Sequence, residues 1–232
     1  LFSNSSQLRN ALAYMVIASL ALMFLMFRGY ITMSTNMAIL ILAGLFVICW
    51  IYMGIVRPVD ELKAAAKRLE NAGADILLMP CNTAHYFYPA IQASTKCPIL
   101  HMLRLTAEEI KSRGHIKVAL LATDGTVKTG IYAKLFEEYG IDYMLPEPEE
   151  QRLVMSMIYD GIKADNEQYF DTEPIKAALR AMQQRGADAF VLGCTELPIA
   201  FDDFELDFPT VDPTRVLAKN AVLAAGYELK TK

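Results

Sequence analysis

The sequence predicts an α/β protein with parallel sheets, arranged as two pseudo-symmetric lobes. From residue 57 onward, short apolar runs alternate with amphipathic helical segments, the βα pattern of a parallel sheet. Residues 62–81 and 175–194 repeat one another at a constant offset of 113, with seven of twenty aligned positions identical. Each copy ends in a cysteine that follows a strand-like run, Cys81 in the first and Cys194 in the second.

Composition divides the chain after residue 56. The protein has 232 residues with 22 Lys and Arg against 26 Asp and Glu, and all 26 acidic residues follow residue 56. The net charge of −4 argues against a nucleic-acid partner, because there is no basic excess to bind a phosphate backbone. Four cysteines are too few for a disulfide scaffold in a chain of this size. We therefore expect an acidic globular domain after residue 56.

Residues 1–56 carry two long apolar runs and are expected to form a membrane hairpin. The runs over 11–27 and 37–56 contain 17 and 20 residues without a charge. A bilayer core of about 30 Å needs roughly 20 apolar residues, so both runs are within range. A pair of buried core helices is the alternative. Basic residues lie before the first run and after the second, which predicts that the region after residue 56 is cytoplasmic and anchored to the inner or plasma membrane.

The first lobe opens with an Ala-rich amphipathic segment. Its pattern predicts a helix over 59–72, and Gly73 suits the left-handed position that ends a helix. The next apolar run predicts a buried strand over 75–80. A helix over 84–94 and a strand over 98–102 continue the alternation.

The second lobe repeats this alternation and supplies the longer series of elements. In chain order we expect a helix over 105–113, a strand over 116–122, a helix over 126–139, a strand over 141–145, helices over 150–163 and 173–185 and a strand over 188–193. A last helix between Pro213 and Gly226 then returns to the first lobe.

The repeat also predicts the domain organisation. Residues 57–104 with 208–232 are expected to form the first lobe, and residues 105–207 the second. The strand and Gly-Thr turn at 117–126 should have a counterpart 113 residues earlier, but residues 4–13 show neither. We therefore expect an incomplete first lobe that the membrane hairpin precedes.

The two repeated cysteines are the strongest candidates for chemistry. Ligands of α/β proteins bind beyond the carboxyl ends of the strands, which is where both cysteines are predicted to lie. Two inert, buried cysteines in a duplicated fold are the alternative. Cys49 and Cys97 lie in apolar surroundings and are expected to be structural. No metal is expected, because the repeated cysteines are single and the three histidines are scattered.

Two thiols on opposite sides of one cleft can invert a stereocentre. A thiolate removes a proton from one face of a carbon, and a thiol delivers a proton to the other face. The ordinary thiol pKa of about 8.5 makes both protonation states accessible near neutral pH. This chemistry needs no pyridoxal phosphate, and no Gly-rich phosphate-binding motif stands in the sequence, so no cofactor is expected.

Four segments resemble the aspartate/glutamate racemase family: MPCNTAH, LGCTELP, LLATDGTVKTGIYAKLFEEYGI and FPTVDPTRVLAKNAV. The resemblance covers about residues 57–232. Glutamate racemases of this family typically carry a histidine two residues after the second cysteine. Glu196 occupies that position here, which is more similar to the aspartate or broad-specificity branch. The resemblance implies a cofactor-independent racemase of aspartate or glutamate that forms a homodimer.

The resemblance also implies roles for nine residues. Cys81 and Cys194 would be the acid/base thiols, each serving one enantiomer. The residues expected to bind the amino-acid substrate are Asn82, Thr83, Thr126, Lys163 and Thr195. Of these, Lys163 would pair with a substrate carboxylate. His85 and Glu196 would support the two thiols, and a helix-start residue bonded to the backbone is the alternative for His85.

Three interpretations of function stay open at this point. The first is a membrane-anchored racemase whose first lobe is incomplete or is completed by another subunit. The second is a fusion or truncation product with little activity. The third is a membrane regulator that binds amino acids without turnover, since VRPVDELKAAAKRLENAG resembles the opening helix of a HAMP signalling linker. Cysteine-dependent isomerisation or decarboxylation of small diacids is a related alternative to racemisation.

Overall fold

The computed structural model describes residues 57–230 and ten isolated positions between residues 17 and 47. Apart from those positions, the expected membrane hairpin lies outside the described residues, as do residues 4–13. Within the described part of the chain, no helix combines the length and the apolar character needed to cross a membrane. The chain divides into two compact units after Ala65, and the features below belong to the second, except for residues 57–65 at the start of the first helix.

Helices and strands alternate through the described residues. The α-helices are α1 (Arg57–Asn71), α2 (Tyr88–Gln92), α3 (Met102–Ser112), α4 (Asp124–Thr129), α5 (Ile131–Tyr139), α6 (Pro148–Ser156), α7 (Glu173–Gln184), α8 (Glu196–Asp203) and α9 (Pro213–Ala224). The strands are β1 (Leu77–Leu78), β2 (Ile99–Leu100), β3 (Lys117–Leu121), β4 (Asp142–Met144), β5 (Ala189–Leu192) and β6 (Thr210–Val211). Short 3-10 helices cover Thr83–Phe87 and Glu167–Tyr169, and a π-helix covers Met157–Ile162.

The strands form two parallel sheets, which confirms the predicted α/β class. One sheet pairs β1 with β2, and the other has the order β4-β3-β5-β6. The sequence repeat is visible in this arrangement, because β1 pairs with the next strand along the chain as β5 does with β6. The helices before β1 and β5 both end at a left-handed glycine, with φ of +90° at Gly73 and +99° at Gly186.

The four-stranded sheet is buried on both faces. Along β3, Ala119 and Leu121 face a hydrophobic cluster built with α6, the π-helix, α7 and α8. Val118 and Leu120 face a second cluster built with α3, α5 and α9. Because successive side chains of a strand point to opposite faces, this double burial explains why the strand segments are continuously apolar.

Several predicted elements differ from the observed ones because of proline and glycine. The helix expected over 84–94 is divided into a 3-10 helix and α2, since Pro89 has no N–H to bond the preceding turn. The helix expected over 126–139 is divided at Gly130, which has a left-handed φ of +64°. Helix α8 was not predicted from the sequence. Pro198 is compatible with this helix because it lies in the first turn, where a missing N–H costs little.

Gly193 allows β5 to approach β3 closely just before Cys194. A Cβ at residue 193 would lie 3.0 Å from both Ala122 Cβ and the Leu121 carbonyl oxygen. We expect Gly193→Ala to lower the free energy of unfolding by about 1–3 kcal/mol, because a packed strand must move to admit the methyl group. Urea denaturation measures this change. The matched control is Gly125→Ala, where the nearest contact would be 4.0 Å away, and equal stability of the two variants would contradict the prediction.

Candidate active site

Cys81 lies just beyond the carboxyl end of β1, and its side chain is exposed. Its position follows from the local sequence, because Pro80 follows the short strand and the chain then enters the 3-10 helix. The backbone N–H of Cys81 donates to the carbonyl of Met79 at 2.8 Å, which tightens this turn. The first repeated cysteine therefore occupies the strand-end position that the sequence predicts.

The ring of His85 is bonded to the backbone on both sides. Its Nε2 accepts a hydrogen bond from the Met102 N–H at 3.1 Å, so the ring proton lies on Nδ1 and is donated to the Cys81 carbonyl at 2.8 Å. Burial lowers the pKa of His85 and favours this neutral form. The imidazole thus orders the Cys81 peptide and the start of α3, so any support for the thiol is indirect.

The side chain of Asn82 is buried and directed towards α5. Its Oδ1 accepts a hydrogen bond from the Tyr132 hydroxyl at 2.5 Å, whereas its buried Nδ2 has no hydrogen-bond partner among the residues that the structure describes. Burial raises the pKa of Tyr132, so the phenol keeps its proton. Sequence reasoning missed Tyr132, because an aromatic residue on the apolar side of an amphipathic helix ordinarily indicates core packing.

Two hydroxyl groups connect the segment after Cys81 with the end of β3. Thr83 Oγ1 and Thr126 Oγ1 lie 2.6 Å apart, and Thr123 Oγ1 lies 3.3 Å from Thr126 Oγ1. Thr126 is buried in α4, which begins directly after β3. Because β3 pairs with β5, this contact brings the residues that follow Cys81 to the same sheet edge that carries Cys194.

Cys194, Glu196 and Lys163 form a chain of polar contacts beyond β5. The Cys194 thiol donates to Glu196 Oε2 at 2.8 Å, and Lys163 Nζ lies 3.3 Å from Glu196 Oε1. The Thr195 hydroxyl also donates to Oε2, at 3.0 Å. Lys163 directly follows the π-helix, which packs against α8 and so delivers the ammonium group to Glu196.

The proton in this chain lies on the sulfur. Burial and then the Glu196 carboxylate raise the pKa of Cys194 to about 12. Burial alone would raise the pKa of Glu196, but hydrogen bonds from Cys194 and Thr195 and the charge of Lys163 lower it overall. Partial burial acts to lower the pKa of Lys163, and the neighbouring Glu196 raises it overall. Cys194 is therefore a neutral thiol beside an ionised carboxylate at neutral pH.

The structure brings the nine predicted site residues into two groups. The first group contains Cys81, Asn82, Thr83, His85 and Thr126, and the second contains Lys163, Cys194, Thr195 and Glu196. Among the residues that the structure describes, no three His, Cys, Asp or Glu side chains are grouped as metal ligands would be. The chemistry that these groups offer is proton transfer by thiols next to hydrogen-bond donors.

Comparison with known proteins gives the family. The family model described as Asp/Glu/Hydantoin racemase matches residues 54–221. The broad specificity amino-acid racemase RacX of Bacillus subtilis (strain 168) is 30% identical over 172 residues, which cover 72% of this chain and 74% of RacX.

Two solved structures share the fold. The aspartate racemase of Picrophilus torridus superposes with a TM-score of 0.63 at 31% identity, covering 75% of this chain and 71% of that one. An aspartate racemase homologue from Pyrococcus horikoshii OT3 gives a TM-score of 0.64 at 28% identity, covering 72% and 74% of the two chains. The chain therefore belongs to the Asp/Glu/hydantoin racemase family and is an amino-acid racemase, a type of isomerase.

Proposed function

We propose that this racemase interconverts the L and D forms of aspartate or glutamate by moving the α-proton between Cys81 and Cys194, without a cofactor. The observation that carries the proposal is the contact between Thr83 and Thr126. It links the segment after one cysteine to the strand end beside the other, and both cysteines follow equivalent strands of a duplicated fold.

The proposed inversion consists of two proton transfers on opposite faces of Cα. A thiolate takes the α-proton, so that the Cα–H bond breaks, its electron pair stays on Cα and an S–H bond forms. The S–H bond of the other thiol then breaks, and its proton joins Cα from the opposite face. The stereocentre is inverted and the two sulfurs exchange protonation states. In the enzyme before the first turnover, Cys194 is suited to be the proton donor, because burial and Glu196 hold the proton on its sulfur.

Substrate recognition is proposed to rest on Lys163 and on hydrogen-bond donors near Cys81. The ammonium of Lys163 is partly exposed and lies 4.6 Å from the centroid of the Tyr159 ring, so a carboxylate can approach it from solvent. Asn82 offers an unpaired N–H in the buried part of the site. Similar proteins are named aspartate racemase and broad specificity amino-acid racemase, which supports aspartate or glutamate as the first substrates to test.

Loss of either thiol should slow racemisation severely. In D₂O, the wild-type chain is expected to remove the α-proton NMR signal of both enantiomers of its substrate. Cys81→Ala and Cys194→Ala should each slow racemisation by roughly a hundredfold or more, with exchange that is absent or confined to one enantiomer. The matched control is Cys97→Ala, because Cys97 is buried and its thiol donates to the Ala74 carbonyl.

Exchange by the cysteine variants tests the two-thiol mechanism, and exchange by the wild type tests the proposed substrate. Full racemisation by either active-site variant would contradict the two-thiol mechanism. A folded wild-type chain that exchanges neither aspartate nor glutamate would contradict the proposed substrate. Far-UV circular dichroism of each variant checks that the fold is retained.

Glu196 should slow the reaction of Cys194 with electrophiles. Because the carboxylate adds to burial in raising the pKa of Cys194, Glu196→Gln should increase the thiolate fraction at about pH 8 and speed alkylation by iodoacetamide several-fold. In the wild type, the alkylation rate of Cys194 should rise about tenfold per pH unit up to about pH 12, because the thiol is mostly protonated below its pKa of about 12.

Mass spectrometry of the Cys194 peptide measures the alkylation rate without interference from the other cysteines. Glu173→Gln is the matched control, since Glu173 pairs with Lys176 on an exposed helix surface. An identical Cys194 rate in the Glu196→Gln variant and the wild type would contradict the role given to the carboxylate.

A membrane anchor and a homodimer are proposed for the racemase domain. We propose that residues 11–27 and 37–56 anchor the protein as a membrane hairpin and that the chain forms a homodimer. The support for the hairpin is the pair of uncharged apolar runs. Membranes washed with alkaline carbonate should keep the protein, and light scattering in detergent should give the mass of two chains. Release by carbonate would contradict the anchor, and a single-chain mass would contradict the dimer.

A further inference from the structure

The carboxamide of Asn82 has one end satisfied and the other unpaired. Its carbonyl oxygen accepts a hydrogen bond from Tyr132, whereas its amino group has no partner in the described part of the chain, although the residue is only 3% exposed. Buried polar groups are nearly always hydrogen-bonded, because leaving a donor without an acceptor loses its interaction with water and replaces it with nothing. The amino group of Asn82 can therefore donate to an acceptor other than the residues that the structure describes.

Tyr132 determines which end of the Asn82 carboxamide is left without a hydrogen bond. Tyr132 is 1% exposed, and burial raises the pKa of its hydroxyl, so the hydroxyl keeps its proton and can act as a donor at neutral pH. A phenol that donates to the carboxamide binds the oxygen end and leaves the nitrogen end free. If the carboxamide of Asn82 rotated by 180°, the buried Tyr132 hydroxyl would face the amino group and would lose its carbonyl acceptor.

We propose that Tyr132 is a positioning residue, which holds the Asn82 side chain so that its N–H is presented to a carboxylate of the amino-acid substrate. This inference deepens the proposed function and rests on it. A carboxylate is the acceptor that the proposed substrates bring. Asn82 also lies between Cys81 and Thr83 in the chain, at the point where the first group of site residues meets Thr126.

The packing of α5 allows the hydroxyl to be removed without removing the ring. The Tyr132 ring packs against Phe136 with 5.4 Å between ring centroids, and Phe at position 132 would keep this contact. On the same helix, the Tyr139 hydroxyl donates to Glu108 at 3.2 Å on the exposed surface. Tyr139→Phe is therefore a matched control for the loss of one phenol hydroxyl from α5.

The test is a double-mutant cycle between Tyr132 and Asn82 in the full-length chain. We expect Tyr132→Phe to raise KM for the racemised amino acid about tenfold and to change kcat much less, because a carboxylate contact holds the substrate before and during the reaction. Asn82→Ala should raise KM at least as much. In the Asn82→Ala background, Tyr132→Phe should have no further effect, because a positioning residue acts only through the group that it positions. Tyr139→Phe should match the wild type.

Two results would overturn the inference. One is a KM of Tyr132→Phe equal to that of the wild type. The other is an equal rise in KM on adding Tyr132→Phe with and without Asn82, which indicates a general packing effect. The dissociation constant of aspartate and of glutamate, measured by calorimetry for the same four proteins of the cycle, replaces KM where a variant turns over too slowly. Failure of the proposed function is distinguished by the wild type, which would then neither racemise nor bind these amino acids.

Discussion

The hydrogen bond from the Cys194 thiol to Glu196 controls what this site can do. Burial and the carboxylate together keep the proton on sulfur, and the carboxylate stays ionised because Cys194 and Thr195 donate hydrogen bonds to it and Lys163 adds a positive charge nearby. A thiol held in this way can donate a proton, and it acts as a base only after it has lost that proton. Inversion of the stereocentre also needs a second acid/base group on the opposite face of Cα, and the exposed Cys81 occupies the equivalent position in the first repeat.

The duplicated fold gives the two cysteines the same backbone context and different neighbours. Both follow a short parallel strand that an amphipathic helix and a left-handed glycine precede. After Cys194 the chain provides a carboxylate that contacts the thiol, whereas after Cys81 it provides a histidine whose two ring nitrogens contact the backbone. The symmetry of the fold thus places two thiols, and the asymmetry of a few side chains differentiates them. Family membership favours turnover over an amino-acid regulator without it.

The sequence was sufficient to predict the parallel α/β class and the strand-end position of both cysteines, because apolar runs, helix-ending glycines and the repeat are local signals. The break at Gly130 was missed, since a single glycine in an amphipathic segment is compatible with a continuous helix. The contact between Lys163 and Glu196 depends on how the π-helix packs against α8, and the contact between Tyr132 and Asn82 joins residues 50 positions apart. Such pairs are set by tertiary packing and leave no periodic signal in the sequence.

The most direct test of the two-thiol account is the optical signal during racemisation of L-aspartate or L-glutamate in D₂O. If one cysteine removes the α-proton and the other delivers a solvent-derived deuteron, the D product carries deuterium at Cα. This product is converted back to the L enantiomer more slowly than the protiated L substrate reacts, because a C–D bond breaks more slowly than a C–H bond. The circular dichroism signal should then pass through zero, reach a transient excess of the D enantiomer and decay to zero. A signal that approaches zero without this overshoot, with the original proton retained in the product, would indicate a single base and contradict the account.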